Sequence, residues 1–119
     1  MALRRGAPQM RLVVIESPFA GDRVRNHAYL GDAVLDCLSR GESPYASHLV
    51  FPPFLDDNDP KQRALGIAAG LAWGTKADAT VVYQDLGISG GMKLGIEAAQ
   101  KAGRSVEYRS LAGKWAGQS

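Results

Sequence analysis

With 119 residues, 45% of them hydrophobic, and a formal charge of +2, the chain has material for one domain with a single core and no room for a second. The mild basic excess lacks the footprint of a nucleic-acid binder, and no apolar run approaches the roughly 20 residues a membrane span needs. The one cysteine, Cys37, cannot form an internal disulfide and falls at an apolar helical position, so a soluble cytoplasmic protein is expected, with neither membrane nor nucleic acid as partner.

Residues 1–10 show no periodicity and read as a loose leader, residues 11–109 as the domain and 110–119 as a tail. Leu12-Val13-Val14-Ile15 is apolar on both faces, as a central parallel strand should be, and it delivers Glu16 and Ser17 to its carboxyl end before Pro18. The polar loop after it carries Arg23 and Arg25, candidates for anion contact where open α/β sheets place their ligands. From Asn26 to Arg40, apolar Leu30, Ala33, Val34, Cys37 and Leu38 recur at helical spacing and Gly41 is a natural stop. Asn26 and Tyr29 lie in the first turn, within reach of a pocket at the end of the first strand.

A second strand is expected over Ser47 to Phe51, ended by Pro52-Pro53. Asp59 before Pro60 is a good N-cap with proline at the first helical position, and Asp56 and Asp57 just outside it can cap the helix or hold a ribose hydroxyl. On this helix Ala64, Leu65, Ala68, Leu71 and Ala72 are the expected apolar face. Gly66, Gly70 and Gly74 repeat every four residues, and three helical glycines cost roughly 1 kcal/mol each against alanine. Close approach of another backbone, in the sheet or in a second subunit, would explain them. Trp73 is expected to anchor the helix end in a core or subunit contact.

Ala79 to Tyr83 reads as a third strand and leads into the glycine-rich turn Q-D-L-G-I-S-G-G-M-K, where Ser89, Gly90, Gly91, Met92 and Lys93 open a helix closed by Gly103. Backbone N–H groups at such a start favour an anion. Ser105 to Tyr108 is the fourth strand, and the segment from Ser110 has no clear period. Three right-handed crossovers linking four short strands predict a single-domain Rossmann-like α/β three-layer sandwich with a parallel sheet in the order 2-1-3-4.

The sequence has no P-loop, no G-x-S-x-G and no Cys/His metal spacing, and His27 and His48 stand alone, so no metal or cofactor is expected. What remains is acids at strand ends: Glu16, Asp56, Asp57 and Asp85. Carboxylates there can hold ribose hydroxyls, protonate a leaving base or attack an anomeric carbon.

The stretch A-D-A-T-V-V-Y-Q-D-L-G-I-S-G-G-M-K-L-G-I-E-A-A, after a strand, a short polar loop and a helix, resembles the nucleoside 2-deoxyribosyltransferase-like superfamily, which includes small phage and bacterial members. The resemblance spans most of Arg11 to Arg109 and implies a parallel sheet between helices, cleavage or exchange of N-glycosidic bonds, and sites completed by a neighbouring subunit. The superfamily's nucleophilic glutamate sits two residues before a glycine of its helix motif, and the matching residue here, two before Gly95, is Lys93. Glu97 is a poor stand-in, and the superfamily usually has small residues where this chain has Glu16. Lysine beside the positive end of a helix favours holding phosphate.

The expectation is therefore a protein that binds a nucleotide or nucleotide-like small molecule; the alternative is an N-glycosidic bond enzyme with Glu16 or Asp85 as its catalytic carboxylate, and the second alternative is an assembly or partner-binding subunit. Ligand contacts are expected from Ser17, Asn26, Tyr29, Asp56, Asp57, Ser89, Gly90, Gly91, Met92 and Lys93, in a homo-oligomer.

Overall fold

A computed structural model describes residues 10–118, and the expected leader, Met10 aside, lies outside the described residues. Strand β1 (Arg11–Glu16) pairs in parallel with β2 (Glu42–Tyr45) on one side and β3 (Ala79–Tyr83) on the other, and β3 pairs in parallel with β4 (Ser105–Arg109). The order is β2-β1-β3-β4, a Rossmann-like arrangement with helices on both faces. Every residue of β3 is buried, which is why its sequence reads as an unbroken apolar run.

Helix α1 (Arg23–Ser39) covers one face, where Tyr29, Leu30, Ala33 and Cys37 pack on Val13, Ile15, Val81 and Tyr83. It starts three residues before the expected Asn26, because the Asp22 side chain accepts from the Arg25 N–H at 3.1 Å and caps it there. Helix α4 (Gly90–Lys101) lies on the other face and seats Met92 and Ile96 on Val82 and Val106.

On the α1 face a buried polar lattice joins the two edge strands. Arg109 of β4 donates from both terminal nitrogens to Glu42 of β2, at 2.8 and 2.7 Å, and also to the Tyr83 hydroxyl at 3.1 Å. Tyr83 in turn donates to Asp36 of α1 at 2.6 Å. The hydrogen bond from Arg109 holds the Glu42 carboxyl below the usual carboxylate range.

Three expectations are corrected. The second strand is Glu42–Tyr45, not Ser47 to Phe51: an edge strand tolerates Pro44, and Ser47–Val50 forms the single-turn helix α2 instead. Helix α3 (Pro60–Gly74) begins at Pro60 with Asp59 capping Lys61 N–H at 2.9 Å, as expected, but its expected apolar face is solvent-exposed and Gly74 is its only buried residue. Trp73 is likewise 63% exposed, with Tyr45 at a ring separation of 6.2 Å, so of its two expected roles the core one is excluded. The segment after β4 is pinned by Trp115, which is buried edge-on against Tyr29 and donates to Asp32 at 2.8 Å.

The glycine stripe on α3 has an intramolecular cause. A Cβ at Gly70 would lie 2.8 Å from the Ser47 Cβ and one at Gly66 3.1 Å from Leu55 Cδ1, so α3 meets the α2 segment at backbone range.

Arg109 and Glu42 side chains are only 6% and 7% exposed, so removing one partner strands a buried charge. Glu42→Ala is expected to cost about 3–5 kcal/mol in urea denaturation, and pairing Glu42→Leu with Arg109→Met should recover most of that loss. A single variant within about 0.5 kcal/mol of the parent would show that the pair is not needed.

Candidate functional site

Helix α4 covers β3 and β4, while α3 stands away from the sheet, and between them a cleft of about 460 Å³ opens over β1 and β3. Its floor is Val14, Glu16 and Thr80. Gly90, Gly91, Leu94 and Gly95 form the α4 wall; Gly66, Ile67, Gly70, Leu71 and Gly74 form the α3 wall. Phe19, His48, Asp57 and Arg63 border it from the loops and the start of α3. The walls are mainly apolar, so the few polar groups decide what the cleft can recognise.

Glu16 is the chief of these. As the last residue of β1 it turns toward the α3/α4 face, opposite in pleat to Ile15 in the α1 core. Burial pushes its carboxyl up to about 8, opposed only in part by the charge of Arg104. Among the described residues no hydrogen-bond donor within bonding range satisfies it. It therefore holds its proton to far higher pH than an ordinary carboxylate, and in that form it can donate as well as accept. Arg104 also lines the cleft, held by its Nε donating to Thr80 Oγ1 at 3.2 Å.

The start of α4 lies at the rim. Ser89 Oγ accepts from Met92 N–H at 3.2 Å and Ser89 O from Lys93 N–H at 3.1 Å. Gly90 and Gly91 are the first two helical residues, whose N–H groups have no acceptor inside the helix. His48 is fixed by donating Nε2–H to the Ser17 carbonyl at 2.8 Å, and burial depresses its basicity, so it is a neutral wall.

Of the residues singled out in the sequence, the structure brings Glu16, Asp57, Ser89, Gly90 and Gly91 to this cleft. The others lie elsewhere. Asp85 is occupied by the Tyr29 hydroxyl at 2.6 Å and by the N–H groups of Leu111 and Ala112 at 2.8 and 3.0 Å, so this carboxylate ties the segment after β4 to α1. Tyr29 is fully buried in that tie. Ser17 is buried against His48, and Asn26 donates to the carbonyls of Phe19 and Ala20 at 3.2 and 2.9 Å, shaping the loop after β1. Asp56 closes a turn by accepting from Asn58 N–H at 2.9 Å. Met92 is buried on the sheet, and Lys93 is exposed and does not border the cleft.

Sequence reasoning missed Thr80, Arg104 and Gly95. The α3 glycine repeat and the Gly91 and Gly95 spacing on α4 are visible in the sequence, and both face the cleft; nothing local distinguishes Arg104 from any cation before a strand.

The unfolded chain ionises Glu16 near 4.5, whereas the folded chain keeps the proton to about 8. Between those values the folded state binds more protons, so this residue's contribution to stability falls as pH rises through the window and stays lost above it. Glu16→Gln removes the effect: relative to the parent, the variant should gain on the order of a few kcal/mol between pH 5 and pH 8 in denaturation experiments. A difference independent of pH would place the carboxyl in water.

No curated protein matches the chain. A family model described as a domain of unknown function, DUF7768, matches residues 11–109, which run from the first residue of β1 to the last of β4. The chain belongs to the DUF7768 family.

Proposed function

We propose that the cleft receives a nucleoside or nucleotide-like small molecule and that Glu16 is the group that acts on it. The observation that carries this reading is a carboxyl with no hydrogen-bond partner among the described residues, its pKa pushed up to about 8 by burial, on the floor of a mainly apolar cleft. The volume of about 460 Å³ falls within the roughly 300–1,000 Å³ usual for small-molecule pockets, and apolar walls suit the faces of a base and a sugar. Asp57 at the border suits ribose hydroxyls.

The same observation favours N-glycosidic cleavage with Glu16 as general acid over attack by Glu16 as nucleophile, because a protonated carboxyl is a donor and a weak nucleophile. The proton passes to the base as the C1′–N bond breaks with its electron pair; water then adds at C1′ and returns a proton to the carboxylate. Incubation with mixed nucleosides and nucleotides, analysed by chromatography, tests both levels. Released base that disappears with Glu16→Gln and declines as pH rises through about 8 identifies an acid catalyst. Retained but unchanged ligand identifies a binding protein, and neither retention nor product contradicts the proposal.

A phosphate on the ligand is assigned to the N–H groups of Gly90 and Gly91, not to Lys93, which is exposed and does not line the cleft. Ser89 is extended and can precede proline, so Gly90→Pro deletes one N–H at a position where helices accept it. By calorimetry this variant should weaken a nucleoside monophosphate roughly tenfold while sparing the nucleoside, and Lys93→Ala should change neither by more than about twofold. A larger loss from Lys93→Ala would return the phosphate to that lysine.

We also propose a homo-oligomer that buries the outer face of α3. Ala64 to Gly74 contains no charged residue, yet Leu65 is 62% exposed beside Ala68, Ala72 and Trp73. A helix apolar on all sides belongs in an interior, and an uncharged face does not repel its own copy across a two-fold axis. Light scattering at high micromolar concentration should give at least a dimer, and Leu65→Glu a monomer. A monomeric parent would contradict this.

A further inference from the structure

We infer that Gly95 is the seat of the Glu16 carboxyl: the side chain missing from α4 is what lets an acid supplied by β1 stand inside the cleft. The inference deepens the reading of Glu16 as the working group and rests on it. A Cβ built at Gly95 would overlap both Oε2 and the carboxyl carbon of Glu16, with Oε1 at 2.9 Å. The carboxyl therefore occupies the volume that any other residue at 95 would claim.

Comparison along the same wall sharpens this. Gly90 meets nothing within 4 Å and Gly91 only Ser89 Oγ at 4.0 Å, so a methyl group fits at either. Gly95 is the α4 glycine whose absent side chain is already replaced. It is buried in the helix interior, where glycine is less favourable than alanine, and its neighbours Met92, Ile96 and Ala99 pack conventionally. Neither the close approach nor the burial serves helix formation. Both serve to hold the carboxyl at the foot of the cleft, partly buried, in a lining that includes Thr80, Arg104, Val14 and Gly74.

Glu16 and Gly95 are thus one device in two parts, and Gly95 is a positioning residue acting through Glu16. Gly95→Ala should drive the carboxyl toward the cleft mouth and into water. Carboxyl-detected NMR, with the Glu16 signal assigned by its loss in Glu16→Gln, reads this directly. The titration midpoint, near 8 in the parent, should fall by roughly one unit or more toward 4.5 in Gly95→Ala. A helix substitution without the coupling would leave that midpoint in place.

Thermal unfolding supplies the second readout. Gly95→Ala should lower Tm in the parent, but in a Glu16→Ala background, with the carboxyl gone, the same substitution should raise Tm through its better helix propensity. If Gly95→Ala alone fails to fold, folding of the Glu16→Ala/Gly95→Ala chain supports the seat, and failure of both overturns it. An unchanged midpoint, or a Tm shift of one sign in both backgrounds, also overturns it. A coupled pair in a protein that neither retains nor converts any nucleoside would leave the seat standing and remove the function proposed above; binding with an uncoupled pair would do the reverse.

Discussion

Everything in this structure depends on how unevenly four short strands are covered. On one face, α1 and the Arg109–Glu42–Tyr83 lattice close the sheet from edge to edge. On the other, α4 packs mainly on the β3–β4 half, with Met92 and Ile96 on Val82 and Val106, and reaches β1 where Gly95 meets Glu16. The chain does not fill the remaining area with side chains. It leaves Val14, Glu16 and Thr80 beneath a cleft, and α3 stands off as the far wall. A rigid closed face is what allows the other to stay open without loss of the strand register that aims Glu16 into it.

Two glycine stripes convert that half-covered face into a defined space. The stripe on α3 lets Ser47 and Leu55 approach the helix backbone and keeps the wall thin. On α4, Gly95 alone is closely approached, and it surrenders its side-chain volume to an acid. Burial without a hydrogen-bond partner then pushes that acid's pKa up to about 8. Position, proton affinity and access follow from packing.

Much of the fold was legible in local signals. Asp59-Pro60, Ser89 with its following glycines, and the apolar run at Ala79 to Tyr83 each carry their own structural instruction, and the strand order followed from crossover handedness. The second strand was not legible, because Glu42-Ser43-Pro44-Tyr45 has a strand-breaking composition that only an edge position excuses. Apolar His48 to Phe51 looked the better strand, but this run is used to meet α3.

The site was legible in part for a similar reason. Strand ends and the α4 start are readable positions, so Glu16, Gly90 and Gly91 emerged from sequence alone. Asp85 and Tyr29 stood at equally suggestive places, yet the structure spends them on each other and on the Leu111 and Ala112 N–H groups. Which acid is free is decided by long-range contacts that no local pattern encodes. The most direct test of the account is amide chemical-shift mapping while a nucleoside and its monophosphate are added. It predicts perturbations at Gly90, Gly91, Leu94, Gly95 and Thr80, bordering the cleft; shifts confined to α1 and the Asp85 tie would contradict it.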